Sequence, residues 1–464
     1  MKYFIFILAA LGVPPLGFLL YMNKRWQKYA FWAMMGAMIL YNATSINFLS
    51  EETYPGTSRG MEVSVIHLFS FAILISLKLQ GKLAKFIPET GFGLYLIYFM
   101  LCMPSLSAAC DYKVAWFEIW KMMLLYFFYM SVYSYLRATD DVRSVLKGFA
   151  FYAIINLLMV MKDRFAGVYQ AHGAFPHQNS MAMAMLLFGT LFFAAYLTLG
   201  LKSRLGRLAS VACVCAAIAT LRSYSRGAIA LMPIAYGITT LACVTRRRVR
   251  KIFSRLVPIM VMGLVGIAML LPKIIERFEE APEASGNTRI ELAYCAKEMI
   301  SDKPLTGVGI NNWSLKMRFP YEYQERASEI VDRDLNYVGI VETVYLLVAA
   351  ECGLPALLAM LVWFGWYWFS CFRLVKRLKG TEWSFVPAGL LGGLTAVYMQ
   401  SCLEWVLRQQ INLFLLVFMF AIIAYFNKLD MQRLVGRTII FSRGGLLSGQ
   451  KNDTIPRVTS KKME

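Results

Sequence analysis

Long apolar runs separated by short polar connections dominate this chain. Runs at 3–22, 29–49, 63–77, 91–108 and 115–136 come first, followed by 144–161, 180–200, 205–221, 228–244 and 252–271; 341–372, 385–403 and 411–426 close the series. Most reach the roughly 17–25 residues that a helix needs to cross a bilayer, so the pattern predicts an all-α, polytopic helical membrane protein with about thirteen hydrophobic segments. Pro14 and Pro15 kink the first run or make it re-entrant. That run lacks an A-x-A site and apolar sequence continues beyond it, so it reads as a retained anchor. One long polar stretch, 273–340, interrupts the series. The expected organisation is a membrane domain over 1–426 that includes this loop, with a basic, poorly ordered cytoplasmic tail over 427–464.

Inside the loop the period changes. Thr288 and Glu291 have the spacing of a capping box, and Leu292, Cys295, Ala296 and Met299 then recur at helical spacing. An amphipathic helix over 288–299, lying against the membrane or the bundle, is the prediction. Pro304, Gly307 and Gly309 make the following DKPLTGVGINNW rich in turns.

Composition agrees with a bilayer protein. Hydrophobic residues make up 58% of the 464 and charged ones 16%, against about a quarter charged in a soluble domain. The net charge of +20 reads as topology rather than nucleic-acid binding. Alternate connections and the tail hold 30 of the 48 Lys and Arg residues, whereas 273–340 has 12 acids against 9 bases. Positive-inside asymmetry puts the cation-rich set in the cytoplasm and the long loop outside it. TRRRVRK, at 245–251, is then a solvated turn touching anionic membrane lipids. The nine cysteines show no C-x-x-C or metal spacing. Cys110 and Cys295 are the two that a disulfide would join, but unpaired buried thiols fit the scatter better.

Polar groups at the outer ends of the apolar runs are the candidates for chemistry. In LRSYSRGA, Ser223 or Ser225 can cap a helix starting near Gly227, and Arg226 adds a fixed charge to that N-terminus. A helix N-terminus with a guanidinium suits a phosphate group; an interfacial arginine reaching to water is the plain alternative. Arg289, at the first turn expected for the loop helix, follows the same logic. AHGAFPHQNS carries His172 and His177, two of three histidines in the chain, in a turn that Asn179 or Ser180 would cap. In VETVYLLVAAECGLPALL, Glu342 sits at the outer mouth and shares a helix face with Tyr345. Glu351 is nine residues further along, which turns it to the opposite face roughly 13 Å deeper, where it needs a partner. Glu118 with Lys121 and Glu404 with Arg408 have the spacing of structural pairs, and His67 reads as a buried structural histidine.

In order, FPHQNSMAMAM, SYSRGA, TRIELAYCAKEMISDKPLTGVGINNW and YLLVAAECGLPALL resemble the O-antigen ligase and O-antigen polymerase family of bacterial membrane glycosyltransferases. The resemblance covers about 175–358. It implies a helical fold in the inner membrane and transfer of a glycan from an undecaprenyl-diphosphate-linked saccharide donor to a glycan or lipid acceptor hydroxyl, at the periplasmic face. No metal, nucleotide sugar or other cofactor is implied. Arg226 and Arg289 correspond to the family's arginines, with Ser225, Tyr345 and His172 as further substrate-binding candidates. Where ligases carry histidine-asparagine before tyrosine-leucine, this chain has Glu342-Thr343 before Val344-Tyr345. Glu342 or His177 is therefore the candidate base, and the departure leans toward a polymerase or a ligase for another acceptor. A transporter for a small anion, or a scaffold for glycan export, is the alternative. A transporter predicts inverted repeats and interrupted helices meeting at mid-membrane, and the sequence shows no such halves.

Overall fold

The computed structural model describes residues 2–87, 90–245, 249–258, 260–261, 268, 275, 283–317, 320–326 and 339–444. Half of the run 252–271 and about a third of the loop 273–340 lie outside the described residues. In chain order the elements are α1 (Lys2–Leu11), α2 (Val13–Met22), α3 (Lys24–Ala37), α4 (Tyr41–Thr44), β1 (Ser45–Ser50), β2 (Gly60–Ser64), α5 (Val65–Leu79), α6 (Gly93–Cys102), α7 (Tyr112–Thr139), α8 (Val142–Phe165), α9 (Gln178–Leu199), α10 (Arg204–Arg222) and α11 (Arg226–Cys243). They continue with α12 (Glu283–Asp302), α13 (Trp313–Lys316), α14 (Val344–Cys352), α15 (Leu354–Arg377), α16 (Phe385–Gln400) and α17 (Gln410–Gly444).

Among the described residues, seven helical stretches are long and apolar enough to cross a membrane, and α5, α6 and α16 contribute shorter apolar helices. The chain is an all-α polytopic membrane protein. Its centre is set by α9 and the first part of α17, each with 89% of its apolar window buried inside the protein, against 22–44% for the other spans. Around α9 the helices close up on small residues. A Cβ on Gly392 of α16 would stand 2.1 Å from Thr239 Oγ1 of α11, so hydrogen there is what lets two backbones meet without a hydrophobic drive between lipid-like surfaces.

Several apolar runs divide differently from the periodicity. The first breaks at Gly12, and Pro14 falls in the opening turn of α2, where its missing N–H costs nothing. The run 29–49 does not span as one helix. α3 ends at Ala37, and residues 45–50 instead pair antiparallel with β2, with Ser45 opposite Ser64 and Ser50 opposite Gly60. The β-branched and aromatic residues of SINFLS fit a strand as well as a helix. The run 341–372 is interrupted at Gly353 (φ +85°), between α14 and α15. α17 continues to Gly444, and 445–464 lie outside the described residues.

The loop segment after α12 docks into the break at Gly353. Val308 N–H donates to Ala350 O (2.8 Å), Gly309 N–H to Glu351 O (3.1 Å) and Leu354 N–H to Pro304 O (2.8 Å). A Cβ on Gly353 would stand 2.3 Å from Leu305 O, so the left-handed turn and the close approach both require glycine there. Asn311 and Asn312 then fasten the segment to its neighbours. Asn311 Nδ2 donates to Ser58 O (2.8 Å) and Val114 O (2.7 Å), and Asn312 Oδ1 accepts from Asp111 N (2.9 Å).

The loop helix is longer than its capping box implied. α12 starts at Glu283, so Thr288 is an interior residue of the helix and not its N-cap. Its apolar stripe is as expected: Leu292, Cys295, Ala296 and Met299 are buried against Trp313, Leu347 and Ala350. All nine cysteines are free, Cys110 exposed and Cys295 buried.

Candidate functional site

Arg289 lies one turn before Leu292 on the buried stripe of α12, so the packing of that helix on α14 aims its guanidinium at the start of α14. There it forms an ion pair with Glu342 and lies 3.6 Å from Glu404. The helix-terminus argument for Arg289 therefore fails: it is the seventh residue of α12, outside the first turn, and its place comes from the apolar stripe.

Glu342 is not on a helix face with Tyr345 either. α14 begins at Val344, and Glu342 precedes it in an extended connection. This connection is tied to the end of α16: Val344 N–H donates to Ser401 O (3.1 Å) and Thr343 Oγ1 to the same carbonyl (3.3 Å). Tyr345 OH instead donates to Tyr398 O (3.0 Å), bracing α14 on α16. Fixing 342–344 to Ser401 brings Glu342 next to Glu404, three residues further along the α16–α17 connection.

Glu404 is the residue that sequence spacing misread. Arg408, its expected partner at i,i+4, sits in a short 3-10 turn and points elsewhere. The Glu404 carboxylate is 15% exposed and is surrounded by Glu342, Arg289, the Asn179 side chain, which hydrogen-bonds it, and Arg226. Burial pushes its carboxyl up to about 7, and the charge of Glu342 adds to the rise; Arg289, Asn179 and Arg226 oppose it. These partners come from four separate parts of the chain. The only sequence signal for Glu404 is a carboxylate in a short connection between two apolar runs, and the i,i+4 arginine hid it.

Arg226 is the first residue of α11, as expected from SYSRGA. Ser225 occupies the N-cap position but its side chain makes no cap bond, and Ser223 Oγ accepts from Ser225 N–H (3.1 Å) instead. Between them Tyr224 adopts φ +51°, which lets α10 end and α11 begin within three residues. The guanidinium-bearing Arg226 therefore opens α11, at the positive end of the helix.

On the opposite rim, α9 is capped by His177, whose Nδ1 accepts from Asn179 N–H (3.3 Å), rather than by Asn179 or Ser180. Two residues on, Asn179 meets Glu404 and Ser180 Oγ donates to Gln409. His172 is held by its backbone, whose N–H donates to Asp163 Oδ2 (3.1 Å). Neither histidine is among the groups around Glu404, where the carboxylates and arginines meet.

Below this mouth lies a buried charge network. Arg408 Nη1 donates to Glu118 Oε1 (2.8 Å), and its Nη2 pairs with Glu351. Lys121 pairs with Glu118 and donates to Arg408 O (2.8 Å). Glu351 thus has the partner its depth demanded, and Glu118–Lys121 is a structural pair. His67 is likewise structural: its Nδ1 accepts from Ser64 N–H (2.8 Å) at the start of α5. The network holds the 401–409 connection, and with it Glu404.

Two carboxylates, two arginines, an amide and a helix N-terminus at one mouth can neutralise an anion and take a proton from a hydroxyl. Residues 211–361 match the family model described as O-antigen ligase, a span that takes in SYSRGA, the loop helix and YLLVAAECGLPALL and leaves FPHQNSMAMAM before it. No curated protein matches the chain.

Proposed function

We propose, from the O-antigen ligase domain, that this membrane protein transfers a glycan from a polyprenyl-diphosphate carrier to an acceptor hydroxyl, at the periplasmic face of the bacterial inner membrane. The observation that carries the reading is the convergence of Arg226, Arg289, Glu342 and Asn179 on Glu404. The alternation of the cation-rich connections, which leaves the net-acidic loop 273–340 with Arg289 on the other side, supports the periplasmic placement.

In this scheme the acceptor oxygen attacks the anomeric carbon of the donor sugar and loses its proton to Glu404. The bond from that carbon to the carrier's terminal phosphate oxygen breaks, and the diphosphate leaves with the electron pair. Arg226 and the N-terminus of α11 meet the charge that develops on it. Arg289 starts out engaged with two carboxylates. Once Glu404 is protonated, one of those anions is neutral, and more of the guanidinium's charge is available to the departing diphosphate. Proton uptake and leaving-group stabilisation are thereby coupled through one side chain.

Glu342 was the sequence candidate for the base because it stands in the motif position of the family's histidine. Glu404 suits that role better, being less exposed and poised near neutral pH, where a general base is most effective. Glu342 then orients Arg289. His177 and His172, with Ser225 and Tyr345, are assigned to the approach and to bracing the mouth. The test is an assay of the purified protein in nanodiscs with a polyprenyl-diphosphate saccharide and its acceptor. Transfer in the wild type and its loss in Arg226→Ala support the reading; no transfer with any lipid-diphosphate glycan contradicts it.

A further inference from the structure

The first turn of α9 is fastened to the connection between α16 and α17 at three places. Gln400 Nε2, buried at the end of α16, donates to the backbone carbonyl of Asn179 (3.3 Å). The Asn179 side chain hydrogen-bonds Glu404, and Ser180 Oγ donates to Gln409. One helical turn thus clasps residues 400–409, with the bond to the carboxylate in the middle.

α9 is a firm base for that bond. Asn179 N–H donates to His177 Nδ1 at the cap (3.3 Å), and from Ser180 to Leu197 the helix is buried without a break. Asn179 is therefore the last polar side chain before α9 enters the core, on one of the two most enclosed spans of the protein. A side chain on such an element holds its target more closely than one on a loop. An ionised carboxylate can only accept, so the amide N–H donates, and such a bond favours the ionised form. The other charges around Glu404 are Glu342 ahead of α14, Arg289 on α12 and Arg226 on α11. In the transfer scheme both arginines turn to the leaving diphosphate. The neutral amide has no such second task and stays with Glu404.

We propose that Asn179 is a positioning residue for transfer, whose amide holds the Glu404 carboxylate against the first turn of α9 in the form that accepts a proton. The inference rests on Glu404 as the base and so on the glycosyltransferase reading. AHGAFPHQNS, which the sequence marks by its histidines, then serves the reaction through its asparagine. Asn179 also sets the pH at which transfer switches on.

The test uses full-length protein in nanodiscs and two readouts. Infrared titration, with Glu404→Gln as the subtracted reference, follows the carboxyl itself and needs no substrate. Rate profiles against pH with a polyprenyl-diphosphate saccharide follow transfer. In Asn179→Ala the midpoint should rise by about one pH unit in both readouts, as for one lost hydrogen bond to a charged group. Asn179→Asp keeps the shape but sets a second carboxylate beside Glu404, and should raise the midpoint further. In both variants kcat should fall most below the new midpoint, with the donor KM little changed. Ser180→Ala cuts the neighbouring bond to Gln409 and spares the amide, so its midpoint should stay at the wild-type value. Unmoved midpoints in both Asn179 variants, or rate losses that are equal at every pH, would overturn the inference and leave Glu404 as the base. No transfer by wild type from any lipid-diphosphate glycan would overturn it together with the transferase reading, whatever the infrared midpoints do.

Discussion

The guanidinium of Arg289 lies 3.6 Å from the carboxylate of Glu404 while also pairing with Glu342. One cation is thus shared by two carboxylates, of which Glu404 is the more buried. Burial first, and then Glu342, raises the Glu404 carboxyl from 4.5 to about 7. A base must be ionised to work, so transfer should rise with pH through about 7 and level off above it. The stability sign is opposite: a carboxyl whose pKa is raised on folding favours the folded state less as pH climbs from 4.5 toward 7. Rate profiles from pH 5.5 to 8.5 check this. A flat wild-type profile over that range contradicts it.

Arg226 and Arg289 should be separable from simple carrier binding. Each donates to charge that grows as the glycosidic bond breaks, so each alanine variant should lose about two to three orders of magnitude in transfer rate. Lysine should recover only part, because a point charge cannot fork onto two phosphate oxygens. The double variant should lose less than the summed effects, since both act on one diphosphate. Single-turnover rates with these five variants are the measurement, and additive losses would show that the arginines serve different groups.

The buried network below the mouth should behave as structure. Arg408→Leu strands the carboxylate of Glu351 in a low-dielectric interior and leaves Glu118 with Lys121 alone as its cation, which should cost about 3–5 kcal/mol. The expected phenotype is a large fall in thermal stability and yield. Removing Glu351 as well should restore part of it, because one stranded charge is gone. Unchanged unfolding of Arg408→Leu would mean the network is not what anchors the 401–409 connection.

The helical membrane architecture was legible because apolar run length is a one-dimensional signal that needs no partner. Arg226 was legible for the same reason: SYSRGA carries its turn and helix start within a few residues. Arg289 was found with the wrong argument, since a capping-box spacing cannot tell a helix start from an interior turn and only the packing of Leu292 and Met299 fixes its direction. Glu404 was misread because its partners, Arg289, Asn179 and Arg226, are all more than a hundred residues away in sequence. The hairpin escaped notice because SINFLS extends an apolar run whose first part is helical. Tertiary pairing made those choices, and no local period records it.

Topology is open to direct labelling. In a background without native cysteines, Lys297→Cys on the exposed side of α12 should react with a membrane-impermeant thiol reagent in intact spheroplasts. Arg250→Cys, in the cation-rich connection after α11, should react only after permeabilisation. The reverse pattern would put the carboxylate–arginine mouth in the cytoplasm and end the periplasmic scheme.

Single-turnover transfer by Glu404→Gln, with carrier binding measured on the same preparation, tests the central claim most directly. Glutamine keeps the size and the hydrogen bond to Asn179 but cannot take the acceptor's proton, so binding should stay within about threefold of wild type while transfer falls by at least about a hundredfold, as for loss of a general base. Glu342→Gln should retain more activity, because it leaves the base in place and disturbs only the orientation of Arg289. Near wild-type transfer by Glu404→Gln would contradict the account at its centre.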